Sequence, residues 1–304
     1  MTEAETRAWL SQGLEKPLQE LRRLNGWLRA AEFLVFSSLW GLGFQLTTFE
    51  DVRLKALGVL LLSVGLNAGV LLVHEGMHGL LGPPRVNLWL SRFLAGCMFC
   101  SFTAYRNMHT RHHQHLGGAG DPDDYYNYTR STRLVFLLQY VRLLTGTFLY
   151  LVLMPLLAWP RLNRAERQGM LLEYALMSSL YVPLFCSVPL ERLVEVWLAP
   201  ILVVGLFTNL RGLVQHGLGD RHAPLLASRS IHPHPLVAFL LLNENLHLEH
   251  HLFPEIPSYN LPRLHQLLKP KLGGSLVSHS YMEVLWGFLK ATPRLDETPV
   301  GSKL

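Results

Sequence analysis

The sequence predicts an all-α membrane protein with four transmembrane helices in two hairpins, interfacial helices, and a cytosolic histidine-rich cap. Three observations carry this. Of the 304 residues, 49 % are apolar and only 16 % charged, which is too greasy for a water-soluble domain. The apolar residues gather into charge-free runs at 33–49, 56–73, 143–160, 174–190 and 196–210 that approach or reach bilayer-spanning length. Histidine is segregated: none of the 15 precedes His74 and none follows His279.

The N-terminal stretch 1–29 is polar and charged, without the short apolar core and cleavage site of a signal peptide, and 9–28 reads as a helix lying on the membrane surface. Runs 33–49 and 56–73, joined by the polar turn 50–53, read as the first hairpin. A helix of about 18 residues is about 27 Å long, so the second run just crosses the hydrocarbon and delivers His74 to the interface. Arg7, Arg22, Arg23 and Arg29 precede the first crossing, which places the N-terminus, and hence His74, in the cytosol. Segment 88–105, broken by Arg92, is expected in the interface. Runs 174–190 and 196–210, turning at 189–192, form the second hairpin. Between the hairpins, 134–159 is interrupted by Arg142 and Pro155. A straight crossing there would strand the histidines on opposite faces, and Arg161, Arg164 and Arg167 favour a cytosolic loop after it. The segment is therefore expected to be re-entrant or in-plane.

No repeat or linker divides the chain, so 1–304 reads as one domain: an N-terminal interfacial part (1–30), a core (31–290) and a tail (291–304). The net charge of +5 reports loop orientation rather than a nucleic-acid surface. Cys97, Cys100 and Cys186 sit in apolar stretches and read as reduced thiols; the CxxC formed by the first two has no second pair.

His74 and His78 are four residues apart, which stacks them on one helix face as a two-tooth metal clamp. The same letters spell HExxH, in which Glu75 would be the general base of a zinc protease. His109, His112 and His113 offer i, i+3 and i+4, and His247, His250 and His251 repeat that spacing about 130 residues later. Eight imidazoles oversupply one zinc ion, which takes three or four protein ligands, and suit two metals. Imidazole is compatible with zinc, copper, iron and nickel, so ligand type alone does not choose.

The three boxes, HEGMH, HTRHH and HLEHH, resemble those of the integral-membrane fatty-acid desaturase and hydroxylase superfamily. The run 245–254, NLHLEHHLFP, and Asp121-Pro122-Asp123 after the second box are similar to bacterial acyl desaturases, including the rhizobitoxine-type branch. The resemblance covers roughly 33–289. It implies two iron ions that activate O2, with His74, His78, His109, His112, His113, His247, His250 and His251 as ligands. It also implies His216, at the end of the last crossing helix, as an additional one. The physical need is clear, because removing hydrogen from an unactivated methylene requires an iron–oxygen oxidant that acids and bases cannot provide. Glu75 and Glu249, the acids within the boxes, and Asp121 and Asp123 beside them are expected to hold the outer N–H of metal-bound rings. Asp121, Asp123 and Asp124 are equally read as starting a turn.

Other residues have plainer readings. Asn243 and Asn245 stabilise the turn before the third box or contact a metal through water, and His115 lies one residue off its ligand face. His232 and His234 alternate with Pro233 and Pro235 in a rigid loop. His265, Lys269 and Lys271 form a solvated face or a patch for an anionic partner. No haem signature or iron–sulfur cysteine set is visible, so electrons are expected from an external donor of ferredoxin, rubredoxin or cytochrome b5 type. The expected activity is O2-dependent desaturation of a fatty acyl chain carried on lipid or as a thioester. The rivals are a hydroxylase or ketolase on a carotenoid or alkane, an intramembrane zinc protease, and a metal transporter or storage protein.

Overall fold

A computed structural model describes residues 2–220 and 223–291; the expected tail lies outside the described residues except for its first position. Thr2 opens α1 (Glu3–Ser11) through a capping box with Glu5. Gly13, at φ +77°, then turns the chain into α2 (Glu15–Leu21). The surface helix expected over 9–28 is thus divided, because Gly13 takes a left-handed conformation no helix accommodates. Asn25 starts a third helix, α3 (Gly26–Leu46), by accepting from the backbone N–H of Trp27 and Leu28. Leu10, Leu18 and Leu21 of the first two helices are buried in one apolar core with Leu248, Leu252 and Leu264 from the far end of the chain.

Asp51 caps α4 (Val52–Met77), which packs back along α3. Glycines permit the crossing. A Cβ on Gly43 would lie 2.7 Å from the Leu62 nitrogen and 2.8 Å from the Gly58 carbonyl, so the two backbones touch as small-residue membrane helix pairs do. The segment expected in the interface, 88–105, resolves into α5 (Pro84–Gly96) and α6 (Phe102–His115). They are separated by a break at Phe99, φ +58°, and α6 is restarted by the Ser101 cap. Next comes α7 (Thr132–Ala158), followed by a 3-10 turn, Trp159–Arg161; the stretches Thr132–Thr145 and Phe148–Arg161 turn by 118° relative to each other. A capping box of Asn163 and Glu166 begins α8 (Arg164–Ser187). Helix α9 (Leu190–Leu193) continues through a π turn, Val194–Leu198, into α10 (Ala199–His216).

Among the described residues, three helices are long and apolar enough to cross a membrane: Val52–Met77, Arg164–Ser187 and Leu190–His216. The bent α7 makes up to four. Helix α3 covers most of the expected first crossing but does not join that set, because Arg29 and Glu32 occupy its first turns and it ends at Leu46. At the end remote from the histidines the helical hairpins are tied by polar contacts, Lys55 to Glu195 at 2.7 Å and Arg192 to the Thr47 carbonyl at 2.7 Å.

The cap follows α10. It contains β1 (Arg229–Ile231), α11 (Pro235–Leu240), α12 (His247–Leu252), α13 (Leu261–Leu268), β2 (Leu276–Ser278) and α14 (Tyr281–Ala291). The two strands pair in parallel, with Arg229 opposite Leu276, and amend the all-α expectation. Three residues are too few to show strand alternation in a sequence.

Candidate metal centre

Four helix ends converge where the membrane helices meet the cap. The C-terminal end of α4 carries His74 and the adjoining His78; α6 carries His109, His112 and His113; α10 ends on His216; and α12 carries His247, His250 and His251. The i, i+3, i+4 spacings turn each set to one face, as the helical period requires. Ligand atoms of His74, His78, His109, His113 and His250 all lie within 4.8 Å of one another, and so do those of His112, His216 and His251. His247 adjoins the second group, its Nε2 being 2.9 Å from Nε2 of His216 and 3.1 Å from that of His251.

The tautomers show what these rings suit. His216 Nδ1 lies 3.2 Å from the Ala227 carbonyl, which only accepts, so that nitrogen carries the proton. His112 Nδ1 donates to Asp121 at 2.9 Å and His74 Nδ1 to Glu244 at 3.2 Å. With the proton outside, Nε2 presents a lone pair inward. Inward nitrogens meet at 2.9 Å between His78 and His109 and at 3.3 Å between His113 and His250. Converging lone pairs, backed by oxygens on the outer nitrogens of His74, His112 and His216, are a donor set that suits metal, and two groups fit two ions.

Electrostatics agree. Burial pushes His78 down to about 3 and His247 down to about 4, the latter against the pull of Glu244. Burial and neighbouring imidazoles hold His109, His113 and His251 well below the ordinary range. These rings are neutral at pH 7, the form that ligates. His112 is the exception: burial lowers it, but the Asp121 hydrogen bond and the Asp123 charge outweigh that and raise it.

The acids divide into different roles. Asp121 holds His112 and also accepts from the backbone N–H of Gly117 and Asp123, while Asp123 lies 3.9 Å from the same ring. Glu75, fully buried, is ion-paired with Arg29 and accepts from the Ser258 N–H at 3.0 Å; its other oxygen has no hydrogen-bond partner. A protease base faces an open substrate cleft, whereas this carboxylate is locked against a cation from α3. Glu249 is also fully buried and holds Ser230 Oγ at 2.6 Å and His265 Nδ1 at 2.5 Å rather than a box histidine.

His115 stands apart over Gly120, His232 stacks near His265 at 4.6 Å, and His234 caps α11. Asn245 donates to the Ile231 carbonyl, and Asn243 forms the turn before the box. The three cysteines are free thiols. Glu244 escaped the sequence reading although both its neighbours were singled out. An acid between two asparagines carries no spacing signal, and only the folded turn brings it to His74.

A cavity of about 150 Å³ opens beside His109, walled by Leu66, Val70 and Ile201 and bordered by Tyr105, Asp123 and Arg142.

Membrane-crossing helices that end in a buried, two-lobed histidine cluster define an integral membrane protein with a donor set that could hold metal. The profile of the fatty acid desaturase family matches residues 53–282, and the chain belongs to that family. It is similar to the sphingolipid delta(4)-desaturase/C4-monooxygenase DES2 of Bos taurus, at 25 % identity over 224 residues, covering 72 % of this chain and 67 % of that protein. The DES2 protein of Homo sapiens is 25 % identical over 231 residues with the same coverage, and that of Mus musculus 26 % identical over 195 residues, covering 62 % of this chain and 56 % of the relative. The chain is an oxidoreductase of the desaturase and hydroxylase superfamily.

Proposed function

We propose that the protein is an O2-dependent di-iron desaturase that introduces a double bond into a fatty acyl chain. The observation that carries this reading is the pair of histidine groups with inward Nε2 atoms beside an apolar cavity. Two irons held by His74, His78, His109, His113 and His250, and by His112, His216, His247 and His251, would supply the oxidising power that a methylene demands. The remaining work belongs to the chain. Leu66, Val70 and Ile201 give an alkyl segment an apolar wall, His109 forms one side of the same cavity, and burial of the cluster keeps bulk water away. Electrons come from an external ferredoxin, rubredoxin or cytochrome b5 type donor, and the acyl group rides on a lipid or thioester. Expression in a host should yield an unsaturated product absent from control cells and absent without oxygen, read by lipid profiling. An unchanged lipid profile with carotenoid or alkane oxidation would overturn the substrate class. Hydroxylation is the second reading, favoured by the monooxygenase in the relatives' name, and would appear as a hydroxylated lipid.

The proposed topology puts α3 with α4 and α8 with α10 across the membrane, with α7 doubling back so that the four helix ends share the cytosolic face. The 118° turn supports the doubling back of α7. A cysteine tag near Arg164 should label from the cytosolic side; labelling from the outer face alone would overturn the layout.

A further inference from the structure

We infer that Glu244 is a shared positioning carboxylate that holds one histidine of each metal position, His74 in the first group and His247 beside the second. The inference rests on the metal reading above and adds a residue to it.

The side chain is 1 % exposed. One oxygen is 3.2 Å from His74 Nδ1, and the other is 3.9 Å from His247 Nδ1, a buried nitrogen with no hydrogen-bond partner. Both rings turn their remaining nitrogen inward, His247 toward His216 and His251. One carboxylate therefore faces the outer edge of two rings that come from different helices, α4 and α12, and whose centroids are 6.5 Å apart. Asp121, by contrast, serves His112 alone among the ligands.

The turn that aims Glu244 is unusual. Leu242 and Asn243, immediately before it, both have left-handed backbone, φ +48° and +61°. A bulky leucine rarely adopts that conformation, so the surrounding structure must impose it. It does: Gln215 donates to the Glu244 carbonyl at 2.7 Å, and Ile231 and Asn245 exchange hydrogen bonds of 2.8 Å that pin the next residue to β1. A strained turn fixed from both sides delivers a buried acid to the seam between the two groups. A carboxylate can accept from both rings at once, whereas an amide has one accepting oxygen and presents its NH2 to the other ring.

The test compares iron binding and Mössbauer spectra of the parent chain, Glu244→Gln, Asp121→Asn and Glu173→Gln, all iron-loaded in detergent. Glu173 is a part-buried acid bonded to Ser101, Thr103 and Arg92 and serves as the control for general damage. Glu244→Gln should weaken iron binding by about 10- to 100-fold, the range for partners of metal-bound imidazoles, and should alter the signals of both irons. Asp121→Asn should alter one, and Glu173→Gln neither. Glu244→Gln binding iron like the parent, changing a single signal, or matching Glu173→Gln would overturn the inference while leaving the di-iron reading intact. A parent chain that takes up no iron would overturn both.

Discussion

His250→Ala abolishes product formation while the protein remains in the membrane at normal abundance. His250 belongs to the group with His74, His78, His109 and His113, is fully buried, and sits on α12, outside every membrane-crossing segment. Its loss breaks one of the two histidine groups without touching the apolar helices that insert the chain, whose backbone hydrogen bonds are satisfied within each helix. The effect should exceed the about 10- to 100-fold typical of an outer hydrogen-bond partner, because on the proposed function a ligand itself is removed. His112→Ala should do the same through the other group, whereas His115→Ala, one residue beyond the ligand face, should retain turnover. Iron content and lipid products measured on the three variants decide it. Full activity in His250→Ala would remove this ring from the metal centre.

Arg29→Met is expected to destabilise the protein severely. Arg29 is 4 % exposed and bridges Glu32 and Glu75, with its guanidinium over the Tyr259 ring at 4.9 Å. Removing one partner of a buried ion pair costs about 3–5 kcal/mol, because the other charge is left without compensation. Here the more deeply stranded of the two carboxylates is Glu75, next to His74 and bonded to the loop after the third box through Ser258, while Glu32 is less buried. Thermal unfolding in detergent should show a lower midpoint and earlier iron release. The double variant Arg29→Met with Glu75→Gln should recover much of the loss, since the amide carries no charge to strand. A double variant as unstable as the single one would show that Arg29 acts by packing on Tyr259 instead.

The histidine boxes were readable because their information is local. Spacing alone turns His109, His112 and His113 to one face, and the neighbouring apolar runs place them at helix ends. His216 could be marked through resemblance, at the end of the last apolar run. Arg29 looked like an orientation charge at the membrane surface, and nothing in its neighbourhood signals a partner 46 residues away. The leucines of α1 and α2 likewise gave no sign of a core shared with α12 and α13, since a helical pattern names the buried face but not what covers it. The carboxylates follow the same rule. Asp121, read from the sequence as either a partner of a box histidine or a turn residue, hydrogen-bonds His112 nine residues before it. Glu249 sits inside a box but serves His265, and Glu244 serves a ring 170 residues earlier. Proximity in sequence is a poor guide to a carboxylate's partner: Glu249, one residue from His250, serves His265, whereas Asp121 serves His112 across a loop.

The packing of α1 and α2 on α12 and α13 fixes an order of events during synthesis. Leu10, Leu18 and Leu21 leave the ribosome long before Leu248 and Leu264, with which they form one core. At about 5–20 residues per second that wait is on the order of 10–50 s. Meanwhile the helices around α4 can enter the bilayer, but neither histidine group is complete before His250 and His251 emerge. The nascent chain thus carries its first two boxes apart from the third, and the closing of the N-terminal leucines over the last box coincides with the first moment at which both histidine groups are complete.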